Sequence, residues 1–258
     1  MNPAVVFISG GATGIGRAIG QRFLGSGARV HVADADPEAL RQFLAEHPGS
    51  SGSVCDVGDA AQVDRAFAEL RAQHGRLDVL VNNAGIAGPT ARVEDIETAA
   101  WERTVAVDLN GQFYCARRAV PLLRASGGGS IICIASSAAF FGFPLRSPYA
   151  ACKWAILGFA KTLAMELGPE KIRVNAICPG SVSGPRIDGV IERDAACRGR
   201  VPGEIRDLYL RQTSLRSFVD AGDVAEMAFF LASAAGAKIS GQAIGVDGHT
   251  EGLSNWLD

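Results

Sequence analysis

Short apolar runs rich in valine and isoleucine alternate with longer stretches of helical period along almost the whole chain. That alternation restricts the fold more than any other feature. Residues 4–8 read as a strand, about 14–26 as a helix, 29–33 as a strand and about 37–46 as a helix. The pattern continues with a strand at 53–56, a helix near 60–74, a strand at 77–81 and a long helix near 99–124. A strand at 130–134, a helix from 149 to about 167 preceded by Pro148, a strand at 172–177, a helix at 221–232 and a strand at 243–246 complete it. Strands this apolar are buried on both faces. The expected fold is α/β: one doubly wound parallel sheet of Rossmann type covered by helices on both faces, as a single domain over residues 1–258. Only 181–214, crowded with Arg, Gly and Pro, breaks the rhythm. A long insert of this kind in a compact domain is expected to be a functional loop that selects substrate.

Between the first strand and the first helix stands Ser9-Gly10-Gly11-Ala12-Thr13-Gly14-Ile15-Gly16. Glycines there permit unusual backbone angles and let the main chain approach a pyrophosphate at the positive end of a helix. A glycine cluster alone is a weak signal, but strand, loop and helix in this order form the context that dinucleotide binding requires. Gly10, Thr13, Gly14, Ile15 and Gly16 are therefore candidate cofactor residues. Asp34 closes the second strand, where a carboxylate accepts hydrogen bonds from both ribose hydroxyls and repels a 2′-phosphate, selecting NAD over NADP. Arg17 is the nearby cation that would weaken that selection, and a solvated turn shared with Asp36 is the competing reading of Asp34.

Tyr149 stands four residues before Lys153, and Ser136 follows the apolar run that ends at Ile134. On a helix, a spacing of four puts phenol and ammonium on one face. A cation beside a phenol of pKa about 10 makes the phenolate accessible as a general base near neutral pH. Alone, the pair is only suggestive.

Charge and cysteine usage narrow the partners. With 25 basic and 27 acidic residues and no basic block, nothing favours nucleic acid or an anionic membrane surface. No apolar stretch reaches the roughly 18 residues of a membrane span, and the amino-terminal residues run into the glycine turn without a cleavage-site pattern, so a cytoplasmic protein is expected. The six cysteines include no C-x-x-C pair and the four histidines are dispersed, so neither a disulfide framework nor a metal site is expected.

Taken together, these motifs resemble the short-chain dehydrogenases/reductases over essentially the whole length. Ser9-Gly10-x-x-x-Gly14-x-Gly16 is similar to that family's cofactor loop, Asn82-Asn83-Ala84-Gly85 to its sheet-stabilising motif, and Ser136 with Tyr149-x-x-x-Lys153 to its active site. Asp56-Val57 resembles the pair that contacts adenine. Ile172-Arg173-Val174-Asn175 followed by Pro179-Gly180 resembles the segment that approaches the nicotinamide, and Gly241-Gln242 with Val246-Asp247-Gly248 completes the similarity. The resemblance implies Tyr149 as acid/base, Ser136 (with Ser137 as the alternative) holding the substrate oxygen, and Lys153 binding the nicotinamide ribose and lowering the Tyr149 pKa. It implies cofactor contacts from Asn83, Ala84, Gly85, Pro179, Gly180 and Val182. It also implies a homo-oligomer, dimer or tetramer, paired through the helices near 99–124 and 149–167, where Trp154, Leu157 and Leu163 suit either an interface or the core.

Three positions depart from the family pattern. Asp108 stands where an active-site asparagine is usual, Gly184 replaces a threonine that leaves Ser181 or Ser183 to contact the carboxamide, and His249 replaces a glycine. His249 is open to two readings, at a substrate mouth or on the surface. Phe140, Phe141 and Phe143 provide an apolar wall, or an interface. Arg146 and Arg186 would select a carboxylate, sulfonate or phosphate if they point inward, and are solvated otherwise. The expected activity is NAD-dependent interconversion of a secondary alcohol and a ketone, with a sugar, polyol or hydroxy acid as substrate. The alternatives are a 3-oxoacyl carrier-protein reductase and, from another class, a non-catalytic NAD-binding sensor or scaffold.

Overall fold

The computed structural model describes residues 3–250. Seven strands, β1 (Val5–Ser9), β2 (Arg29–Asp34), β3 (Ser51–Val54), β4 (Val79–Asn82), β5 (Gly129–Ile134), β6 (Ile172–Pro179) and β7 (Ala243–Val246), form one sheet in the order β3-β2-β1-β4-β5-β6-β7. Every pairing is parallel. Their order reverses at β1, which pairs with β2 on one side (Ser9 opposite Ala33) and β4 on the other (Ser9 opposite Asn82). A crevice opens at the carboxyl ends of strands at such a switch point.

Among the described residues nine α-helices accompany the strands: α1 (Gly14–Gly25), α2 (Pro37–Glu46), α3 (Ala60–His74), α4 (Thr98–Val105), α5 (Gly111–Ala125), α6 (Ser147–Leu167), α7 (Pro185–Arg198), α8 (Pro202–Arg211) and α9 (Ala221–Ala232). The period-2 geometry of β1 sends Val5 and Phe7 to one face, against Phe67 and Leu70 of α3, Leu123 of α5 and Ile156 of α6. Val6 and Ile8 go to the other, against Ile19 and Phe23 of α1, Phe43 of α2 and Leu231 of α9. Both faces are thus dry, which is why the strand sequences are continuously apolar. Helix entrances follow local chemistry: the Asp36 carboxylate accepts from the Glu38 and Ala39 amides at the start of α2, and Asp59 does the same for α3.

Two expectations need correction. The stretch expected as one helix over 99–124 is α4 and α5 joined by a π-helical turn, Ala106–Asn110, which carries Asp108. The extra residue in that turn re-aims the side chains. The insert at 181–214 is also not irregular. It folds into α7 and α8, which close a small core of their own from Ile187, Val190, Ile191, Ala195 and Ile205, with Ala87, Tyr209 and Phe218 against it. Glycine, proline and arginine fall at its helix ends and outer faces, and mask that spacing.

His31 lies under the sheet edge at zero exposure, stacked on Phe7 with ring centroids 5.6 Å apart. Its ring nitrogens meet the hydroxyls of Ser51 and Ser53, each at 2.9 Å. Burial pushes the imidazole down from 6.5 to about 4, and His74 adds to the effect. A base held neutral in the fold but free to take a proton when unfolded stabilises fully above pH 6.5 and loses that contribution as pH falls toward 4, here about 3 kcal/mol. His31→Phe keeps the stacking and removes the titration. Denaturant unfolding of both proteins from pH 7 to pH 4 should show their stability difference moving toward the variant by about that amount, and a pH-independent difference would contradict it.

Candidate active site

The loop after β1 is held from three sides. Gly10 and Gly14 have φ of 59° and 51°, in the left-handed region where a side chain is strained. A Cβ on Gly16 would lie 2.1 Å from the Gly10 carbonyl oxygen, so α1 packs against the loop only because this residue is glycine. From β4, the Asn83 amide donates to the Ser9 and Gly10 carbonyls (3.1 and 2.7 Å). The Ser9 hydroxyl accepts from the Asn83 and Ala84 amides. Asp34, at the end of β2, accepts from the Ala12 amide at 2.9 Å and the Asp36 amide at 3.1 Å, which fixes its carboxylate against the loop. Arg17 is engaged with Glu46.

A cleft of about 750 Å³ runs from this loop across the carboxyl ends of the strands. At one end its wall includes Gly10, Thr13, Gly14, Ile15, Asp34, Asp56 and Val57, with Asp56 paired to Arg103 at 2.8 Å. Asn83, Ala84 and Gly85 line the middle. Ser136, Ser137, Tyr149, Lys153, Pro179, Gly180 and Val182 line the far end. Gly16 backs the loop rather than the cleft. The cleft thus brings together the residues singled out in sequence from seven separate segments.

Tyr149 lies in the first turn of α6 and Lys153 one turn on. Ser136 follows β5 and caps a short 3-10 turn, its hydroxyl accepting from the Ala138 amide at 3.2 Å. Lys153 is 2% exposed. Its ammonium donates to the Ile134 carbonyl at 3.3 Å, faces Asp108 at 3.5 Å and sits 5.4 Å from the centre of the Tyr149 ring. Asp108 is fully buried. One of its oxygens accepts from the Ile86 amide at 2.7 Å; the other, Oδ2, has no hydrogen-bond partner among the described residues and turns to the lysine. Burial alone raises the Tyr149 phenol, but Lys153, Arg186 and hydrogen bonding with Ser136 outweigh it. The net direction is down, with Asp108 opposing. A carboxylate at the usual asparagine position therefore builds a buried ion pair into the site and tempers the lysine's pull on the phenol.

The positions left open in sequence resolve unevenly. Phe141 and Phe143 form part of the wall; Phe140 is exposed and outside it. Ser181 and Ser183 both line the cleft beside Gly184, and so do Arg146 and Arg186. His249 is exposed and is not part of the wall. Its φ is 66°, and Ser214 meets its Nδ1 at 2.6 Å. This left-handed backbone explains why glycine suits the position better. Trp154 is exposed on α6, whereas Leu157 and Leu163 pack on the core. Sequence reasoning missed Tyr209, Ile187, Val190, Gln212 and Thr213 in the wall. The i, i+3, i+4 spacing of Ile187, Val190 and Ile191 was the available signal.

Among the described residues no helix is long and apolar enough to cross a membrane. A family profile described as enoyl-(acyl carrier protein) reductase matches residues 10–250. The chain is 36% identical over 253 residues to an uncharacterised short-chain type dehydrogenase/reductase of Sinorhizobium fredii, covering 93% of this chain and 94% of the relative. It is 33% identical over 248 residues to a D-beta-hydroxybutyrate dehydrogenase of Rhizobium meliloti, covering 93% and 96%. Among solved structures, a variant of actinorhodin polyketide ketoreductase with NADPH superposes with a TM-score of 0.92 at 31% identity, covering 98% of each chain. On this fold, these residues and these likenesses, the chain belongs to the short-chain dehydrogenase/reductase family, oxidoreductases that act on CH–OH groups.

Proposed function

We propose that the chain is an NAD-dependent dehydrogenase that oxidises a secondary alcohol of the sugar, polyol or hydroxy acid type to a ketone. The observation that carries this reading is the convergence of Ser136, Tyr149 and Lys153 at one end of a cleft whose other end holds a glycine loop and the fixed carboxylate of Asp34. A nicotinamide dinucleotide fits these residues: Gly10, Thr13, Gly14 and Ile15 would hold its pyrophosphate, Asp34 its ribose, Asp56 and Val57 its adenine. Asn83, Ala84, Gly85, Pro179, Gly180 and Val182 would hold its nicotinamide half. Bound, it supplies a hydride acceptor.

The chain's own residues manage the proton. Ser136 orients the carbinol oxygen, and Tyr149 takes the hydroxyl proton as the carbinol carbon gives up its hydride. Lys153 lowers the phenol's affinity for that proton, and Asp108 fixes the lysine. Asp34 supports NAD because a 2′-phosphate would meet its carboxylate, while Arg17 is taken by Glu46 and Arg103, in the same wall of the cleft, by Asp56. The likeness to a ketoreductase with NADPH favours a second reading, reduction of a 3-oxoacyl group.

One experiment separates them. Sugars, polyols, hydroxy acids and aromatic carbinols, each offered with NAD and with NADP, should give reduced nicotinamide with NAD preferred at least about tenfold, and Asp34→Ser should narrow that preference. A preference for NADP would overturn the reading in favour of the ketoreductase, and binding without turnover would favour a sensor.

Residues 1–258 act, on this reading, as one catalytic domain in which 181–214 selects substrate. We place it in the cytoplasm, consistent with cysteines that are unpaired among the described residues. A homo-oligomer, dimer or tetramer, is supported by large apolar side chains exposed on α4, α5 and α6: Trp101, Phe113, Trp154 and Met165.

A further inference from the structure

Arg146 is an anomaly. It is 5% exposed, yet among the described residues no carboxylate lies within ion-pair distance of it, and its Nε has no hydrogen-bond partner. One terminal nitrogen donates to the Ala87 carbonyl at 2.6 Å. The guanidinium carbon lies 5.0 Å from the centre of the Tyr149 ring and 5.8 Å from that of Phe143. The charged and phenolic groups that act on it are Tyr149, Tyr209, Arg186 and Arg193; of these only Tyr149 turns anionic, when it serves as the base, and no carboxylate is among them. A buried cation without a counter-charge is expensive, and proteins keep one where a ligand completes the pair.

The surroundings repeat the message. Leu145, immediately before it, is held at φ 64°, in the left-handed region that leucine avoids, with its carbonyl bonded by the Ala91 amide at 3.0 Å. Strain of this kind concentrates where a side chain must be aimed. From across the cleft, Arg186 in the first turn of α7 donates to the Gly85 carbonyl at 3.0 Å and also lacks an acidic partner among the described residues. Asp194, which lines a small pocket together with Arg146, is already taken by Arg198 at 2.5 Å and by the Tyr209 hydroxyl, and Asp188, two residues beyond Arg186, by Arg206. The carboxylates in the cleft wall, Asp34 and Asp56, line its opposite end.

We infer that Arg146 and Arg186 form a clamp for an anionic group on the substrate, a carboxylate or sulfonate, placed beside the reacting carbinol. The inference rests on the dehydrogenase reading and narrows its substrate to a short secondary hydroxy acid or hydroxy sulfonate. Because the Arg146 guanidinium carbon lies 5.0 Å from the centre of the Tyr149 ring, a molecule spanning both needs about two or three carbon–carbon bonds of roughly 1.5 Å each between carbinol and anion. Paired donors suit the two oxygens of such a group.

The test compares matched substrates in the full chain: 3-hydroxybutyrate against 3-hydroxybutanamide, and 2-hydroxypropane-1-sulfonate against 2,3-butanediol. Binding of the unreactive propane-1-sulfonate to the protein with NADH is followed by calorimetry. The charged member of each pair should have the higher kcat/KM by about 10- to 100-fold. Arg146→Gln and Arg186→Gln should each reduce that ratio, mostly through KM, and abolish propane-1-sulfonate binding. Arg146→Lys should fall between. If Arg146→Gln fails to fold, Arg186→Gln and Arg146→Lys carry the comparison.

Turnover of the neutral alcohols with no preference for charge overturns the clamp and leaves the dehydrogenase reading standing. No turnover of any alcohol, with sulfonate binding that Arg146→Gln removes, overturns the dehydrogenase reading and retains the anion site. Neither turnover nor sulfonate binding overturns both. A ratio unmoved by Arg186→Gln, accompanied by weaker NAD binding, assigns that arginine to the cofactor and overturns the two-arginine clamp.

Discussion

Tyr149→Phe should lower kcat/KM for alcohol oxidation by about 10³-fold, within the 10²- to 10⁴-fold range of a lost general base, while NAD binding measured by calorimetry stays within a few-fold. Phenylalanine fills the same volume, so only the hydroxyl is lost, and unchanged turnover would remove Tyr149 from the mechanism. The pH profile gives a second readout. Oxidation needs the phenolate, so its rate rises with pH through the tyrosine's pKa. Burial raises that pKa, and Lys153, Arg186 and Ser136 bring it below the ordinary value. The rising limb should therefore lie at lower pH than free tyrosine would give. Asp108 acts against this shift, so Asp108→Asn should move the limb further toward acid. A move toward alkali would show that the buried pair works otherwise than through the phenol.

Gly16→Ala should be the most damaging single methyl in the chain. The added carbon would sit 2.1 Å from the Gly10 oxygen and 2.8 Å from the Gly11 Cα, and backbone cannot swing aside as a side chain can. Overpacking of this kind costs about 3 kcal/mol, or roughly 6–12 °C in Tm for a chain of this size. Relief by tilting α1 away would open the loop, so NAD affinity should fall with it, by about 100-fold or more on the same energy scale. Gly25→Ala, whose Cβ would meet nothing within 4 Å, is the control and should change Tm little. Equal behaviour of the two variants would refute the packing argument.

The fold and the cofactor end of the cleft were legible because their signals are local. A strand followed by a glycine loop followed by a helix is contiguous, and Asp34 announces itself by closing a strand. Ser136, Tyr149 and Lys153 were legible for the same reason, standing at a strand end and on one helix face. What escaped was set by distant contacts. That Asp108 faces Lys153 depends on a π turn no periodicity reveals. Arginine is ordinarily solvated, so the burial of Arg146 had no signature beyond its place near Tyr149. In α7 and α8 the apolar spacing was present but diluted by helix-end glycines and prolines, and Tyr209 was missed with it.

The strand order also sets a timetable for the growing polypeptide. β1 can pair with β2 as soon as residue 34 is made, but its other edge stays open until residue 82 completes β4. At about 5–20 residues per second that wait is roughly 2–10 s, with an apolar strand unpaired on one side. The opposite end of the cleft is completed later: a Cβ on Gly180 would meet the Asp247 backbone at 2.9 Å, so the wall at Gly180 closes only once β7 and Asp247 have arrived. A nascent chain therefore builds its nucleotide half first, and a protein truncated before β7 would retain that half and residues 181–214 but lack the strand that packs beside β6.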